Sequence, residues 1–156
     1  MAPANTEHHP RFFDLSNYTS EELVRLWSSP NGQENKALLA VALMDEMTFY
    51  TVTARMVKDP ADVLTGDNVN WVMADLTEEI LRSIIPLVDI SQAGGALLVL
   101  AWIQWVRGRL DLAMEYCMRI EDQTNFTSTF YSLLYNDVAR AVLPVVVLDK
   151  SKSYTE

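Results

Sequence analysis

The sequence predicts an all-α fold: about six helices in an irregular, right-handed array of hairpins around a buried central helix. Three observations carry this expectation. Apolar residues recur at three- and four-residue intervals through most of the chain, with little of the alternation a half-buried sheet requires. Helix-start residues stand before these stripes, and Gly or Pro stands after them. From Ala96 to Val106 every residue except Gln104 is apolar. That run is shorter than the roughly 18 residues a membrane span needs, so it is expected to be a core helix apolar on all sides.

A length of 156 residues suits one domain with a sizeable core. Residues 1–16 are expected to form an N-terminal arm, 17–148 the helical domain and 149–156 a polar tail. The arm is largely polar, with Pro3 and Pro10 and no periodicity, and its Phe12, Phe13 and Leu15 are available to pack on the body. A net charge of −9 argues against binding nucleic acid through its phosphates and against docking on an anionic membrane. With one cysteine, Cys117, no internal disulfide forms, and its place on an apolar helix face predicts a buried thiol. The sequence starts without the layout of a secretion signal, so a cytoplasmic location is expected and the sequons at Asn17 and Asn125 are without consequence.

Thr19-Ser20-Glu21-Glu22 has the capping-box pattern and opens a short helix carrying Leu23, Leu26 and Trp27. Asn31 to Glu34 repeats the start signal before one long helix over 37–57, on which Leu38, Val41, Ala42, Met44, Asp45, Thr48, Phe49, Val52 and Met56 share a stripe. Thr48 to Thr53 suits a strand by propensity, but helix is predicted because no partner of alternating pattern exists. Lys58 to Gly66, with Pro60 disfavouring helix in the residue before it, is expected to break the helices, and Asp67 or Asn68 to cap the next one. Its inward stripe is Val69, Val72, Met73, Leu76, Ile80, Leu81, Ile84 and Ile85, and Pro86 ends it.

Asp89 or Ser91 is expected to cap the central helix, and Gly108 to end it in the left-handed conformation. The following helix turns Leu110, Ala113, Tyr116, Cys117 and Ile120 inward, before a loop from Asp122 to Asn125. Thr127 or Ser128 starts the last helix, with Phe130, Leu133, Leu134, Val138 and Ala141 inward and Pro144 closing it.

The spacing around Gly108 resembles a tetratricopeptide hairpin. A Gly at the turn is followed five residues later by the small Ala113, and a step of about 34 residues reaches Tyr131 and Leu134. Leu97, Ala101 and Gln104 stand where that repeat has its first-helix signature residues. Ala96 to Trp102, Trp105, Gly108, Leu112-Ala113 and the segment Ala139-Arg140-Ala141-Val142-Leu143-Pro144 also resemble the C-terminal part of an actinobacterial family, domain-of-unknown-function family 4192. This resemblance spans residues 92–145 and departs from the family at Glu121 to Asn125, where an Asp-Pro-Gly turn is usual. It implies an actinobacterial helical module, and it implies neither an activity nor a functional residue.

No constellation for catalysis stands out. Gly94-Gly95 has no Lys-Ser/Thr companion, and His8 and His9 are the only histidines, so no metal site and no cofactor is expected. The paired acids Asp45-Glu46 and Glu78-Glu79 point about 100° apart on a helix, so at most one of each faces inward. Asp45, beside an apolar stripe, is the candidate for a buried acid or base, or for a partner to Arg55, Arg82 or Tyr50. Trp102 and Trp105, with Tyr116, are candidates to wall a small-molecule pocket beside Arg107 and Arg109. Trp27 and Trp71, off or at the edge of their stripes, are candidates for a contact surface.

The six acids and no base from Asp59 to Glu79 make a solvated face or a docking surface for a basic partner. The leading expectation is a non-enzymatic module that binds a protein partner or a second copy of itself. A ligand-binding protein or enzyme with its pocket beside the central helix is the alternative, and an acidic decoy for a basic protein the weaker one.

Overall fold

The structure, a computed structural model, describes residues 37, 38 and 40–155, with the backbone alone beyond residue 142. Its helices are α1 (Glu46–Ala54), α2 (Asp62–Thr65), α3 (Trp71–Ile84), α4 (Gly94–Val106), α5 (Leu110–Gln123) and α6 (Thr129–Thr155). Two 3₁₀ turns, Ile85–Leu87 and Ile90–Gln92, link α3 to α4. The fold is all-α, as the sequence predicts. The N-terminal arm, the capping box at Thr19 and the helix carrying Trp27 lie outside the described residues.

Everything from Gly94 to Gln104 is buried, so α4 is enclosed on all sides over most of its length. Each large apolar side chain so enclosed contributes about 1.5–3 kcal/mol. α5 folds back along α4 through the turn at Gly108, whose φ is 77°. Gly108 N–H donates to Trp105 O at 3.0 Å and Arg109 N–H to Gln104 O at 2.9 Å, the paired bonds of a Schellman ending. From α5, Ala113, Cys117 and Ile120 enter the core. From α3 come Met73, Ala74, Thr77, Ile80, Leu81 and Ile84, and from α6 Phe130, Tyr131, Leu134 and Val138.

The predicted helix over 37–57 is broken. After a helical turn ending at Ala42, the backbone at Asp45 is extended (ψ 128°), and its carboxylate accepts from Thr48 N–H at 3.1 Å and Thr48 Oγ at 3.2 Å. Asp45 is thus the exposed N-cap of α1, rather than a buried acid or a partner to Arg55, Arg82 or Tyr50. The strand-prone threonines are helical here. Thr53 Oγ donates to Phe49 O at 2.9 Å and Thr51 Oγ to Met47 O at 2.8 Å, so their hydroxyls bond within the helix.

Other boundaries differ for local reasons. α3 is capped by Asn70, whose Oδ1 accepts from Met73 N–H at 3.1 Å, and not by Asp67 or Asn68. Val69 is held extended in an antiparallel bridge to Val57, and Asn68 has a φ of 53°, so neither can begin a helix. Asp89 caps the 3₁₀ turn through Ser91, not α4, which begins at a buried pair of glycines. α5 runs to Gln123, where Thr124 Oγ donates to Ile120 O at 2.8 Å and closes the helix end. Ser128 starts α6 as expected, its Oγ accepting from Tyr131 N–H at 3.0 Å.

Pro144 does not close α6, which continues to Thr155, so residues from 149 extend this helix instead of forming a separate tail. A proline's fixed φ is helical, and the missing N–H removes one bond. Val72, Leu133 and Ala141, expected inside, are exposed. Ala74 and Thr77 take the inward positions on α3 and Tyr131 on α6, a rotation of each stripe by about one residue.

The start of α4 crosses the turn before α1 so closely that a Cβ added at Gly95 would meet the Leu43 carbonyl. Gly95→Ala is therefore expected to cost about 3 kcal/mol or more. Gly108→Ala, strained in backbone but free of contacts, should cost about 1 kcal/mol. Urea denaturation of the two variants measures the difference, and equal losses would contradict the close crossing.

Candidate functional site

The two tryptophans of α4 do different things. Trp102 is fully buried, and its indole N–H donates to Val63 O at 2.9 Å, fastening α2 onto α4. Trp105, one turn on, is half-buried and donates its indole N–H to Asp137 Oδ2 at 2.7 Å, fastening α6. A Cβ added at Gly66 would lie 3.0 Å from the Trp105 ring, so the end of α2 rests against that ring.

An open groove of about 350 Å³ lies at this junction. Its apolar wall is Trp105 from α4, Leu64 from α2, and Phe130, Leu133 and Leu134 from α6. Asp137, Asn136 and Arg140 complete it on the polar side. Phe130 forms the floor, braced from behind by Phe49 and Tyr50 with ring centroids 4.8 and 5.6 Å away. Leu64 and Leu133 remain 58% and 54% exposed, which makes them apolar walls with nothing of the described chain over them.

A second cluster surrounds the end of α4. Gln104, buried in the core, donates to Glu78 Oε2 at 2.6 Å. Glu78 also receives Arg107 at 3.2 Å, and Asp75 closes on the same guanidinium. Arg107 in turn lies over the Trp71 ring, 5.2 Å from its centroid. Guanidinium and carboxylates thus pair, while Arg107 Nε and Gln104 Oε1 are buried without a hydrogen-bond partner among the described residues, and the shallow opening between Asp75, Glu79, Arg82 and Arg109 is charged throughout. This cluster anchors α3 to α4.

The expected three-residue wall is not assembled. Trp102 is enclosed in the core, and Tyr116 sits half-buried on α5 beneath Arg119, whose guanidinium is 5.9 Å from its ring. Of the sequence candidates only Trp105 lines the groove, and Trp71, 45% exposed, belongs to the Arg107 cluster. Leu64, Leu133 and Asp137, which also line it, are not among those candidates. A short helix could have been found in Asp62-Val63-Leu64-Thr65-Gly66 from its apolar pair and closing Gly. Nothing in α6 marks Leu133 as exposed, because its neighbour Leu134 fits the same stripe.

Burial, reinforced by the charge of Glu121, pushes the Cys117 thiol up to about 11, so near neutrality it stays protonated. Burial and a 2.7 Å bond to Glu121 likewise raise Tyr131. Neither group lines the groove. Among the described residues, no group of three or more His, Cys, Asp and Glu side chains is placed to hold a metal ion. No helix among them is long and apolar enough to cross a membrane.

No protein-family model, curated protein or solved structure matches this sequence.

The unequal burial of the two indoles gives a direct expectation. Trp102→Phe strands a buried carbonyl and opens a void, and should cost about 2–4 kcal/mol. Trp105→Phe breaks an exposed bond and should cost about 1 kcal/mol or less. Chemical denaturation would read both, and a larger loss at Trp105 would overturn the division of roles.

Proposed function

We propose that this protein is a non-enzymatic interaction module whose groove at the junction of α2, α4 and α6 receives a segment of another polypeptide. The observation that carries this reading is the groove itself: a half-buried indole flanked by two leucines more than half exposed, on a floor of packed aromatic rings. Large aromatic anchors in such settings supply much of the energy of protein contacts. Exposed leucines beside them offer apolar area that a partner removes from water at about 25 cal/mol per Å². The helical-hairpin scaffold holds the walls from three separate elements, so the groove exists before a partner arrives.

The proposal extends to a cytoplasmic location, which suits the free buried thiol of Cys117. Kinship with the actinobacterial family rests on the residue pattern from 92 to 145.

Selection of a helical-peptide display library on the immobilised full chain tests the reading. Enriched peptides are expected to bind at least about tenfold more weakly to Leu133→Asp, a loss of about 1.4 kcal/mol. The melting temperature of that variant should be unchanged, because the side chain is exposed. Peptides that bind both proteins equally, or a library that yields none, would refute it.

A further inference from the structure

We infer that the partner segment is basic and amphipathic, with large apolar anchors on one face and Lys or Arg on the flanks. This rests on the groove being a polypeptide site, and it adds the chemistry of the occupant. The segment around α2, which carries Leu64 to the groove, is rich in carboxylates. Asp59 and Asp62 precede Leu64, and Asp67 follows Gly66, which packs against Trp105. Across the opening stands Asp137 on α6. Of the charged residues, Asp137 and Arg140 line the groove itself, and the segment 58–68 that brings Leu64 to it carries three acids, Asp59, Asp62 and Asp67, against one base, Lys58.

Three of the four acids are held by hydrogen bonds but not neutralised. Asp62 Oδ2 accepts from Asp59 N–H at 3.1 Å and Asn68 Nδ2 at 3.2 Å, Asp59 Oδ1 from Ala61 N–H at 3.0 Å, and Asp137 from Trp105. Among the described residues none of the four is in an ion pair. By contrast Asp75 and Glu78, farther along the acidic stretch, are committed to Arg107.

The field of the whole molecule adds to the local one. With a net charge of −9, the chain attracts cationic segments and repels acidic ones before contact. A second copy of this chain would bring the same −9 to the groove, so charge disfavours that occupant. A basic segment satisfies both features at once: its apolar residues cover Trp105, Leu64 and Leu133, and its cations meet Asp59, Asp67 and Asp137.

Three synthetic helical peptides make the test, each with Leu and Trp at i, i+3, i+4 and i+7 and with polar positions filled by Lys and Arg, by Gln, or by Glu. Fluorescence anisotropy against the full chain should show the basic peptide binding at least about tenfold more tightly than the acidic one in about 0.05 M salt. The gap should shrink severalfold in about 0.5 M salt, where the Debye length falls to about 4 Å. Asp59→Asn with Asp67→Asn should narrow it at low salt while leaving the melting temperature unchanged.

If all three peptides bind equally and all lose affinity to Leu133→Asp, the groove stands and the charge inference falls. If none binds, both fall. A photoreactive side chain at position 133 tests for other occupants. A cross-link to a second copy, or to residues 1–36 of the same chain, in the absence of peptide would overturn the assignment to a basic partner.

Discussion

The burial of α4 is the constraint on which the rest of the structure depends. A helix apolar on every face cannot be covered by one neighbour, so the surrounding elements are placed by the need to enclose it. α5 covers one side through the Gly108 turn, α3 and α6 cover others, and the turn at Leu43 closes over its glycine start. The polar member, Gln104, has its amide nitrogen met by Glu78, and that carboxylate also receives Arg107 and ends the helix in an ionic cluster.

Enclosure weakens toward the C-terminal end of α4, and there the groove lies. Trp102 is sealed beneath α2, whose carbonyl at Val63 takes the indole proton. One turn further α2 has ended. It has four residues, and what it offers to the Trp105 ring is Gly66. α6 reaches the same ring through Asp137 but turns Leu133 outward. A short helix, a small residue and a rotated stripe leave an apolar opening beside a firmly held aromatic ring.

Much of this was legible in the residues. The run from Ala96 to Val106 announced the core helix, Gly108 its ending, and the spacing of Ala113, Cys117 and Ile120 the buried face of α5. Periodicity does not show where a stripe is interrupted by a side chain that prefers its own backbone, so the cap at Asp45 was hidden inside an apolar segment. Nor does it show long-range pairing, and the bridge between Val57 and Val69 moved the start of α3 to Trp71. The groove was the least legible part. Trp105 was a candidate from the start, but its partners Leu64 and Asp137 lie about 40 and 30 residues away, and their convergence is a property of the tertiary fold.

Native-state hydrogen exchange tests the organising role of α4 most directly. If the other elements exist to enclose this helix, amides from Leu97 to Gln104 exchange only by global unfolding and are the slowest in the protein, while those of α2 exchange faster by local opening. Amides of α4 exchanging faster than those of α3 or α6 would contradict the account, because the molecule would then be organised around another core.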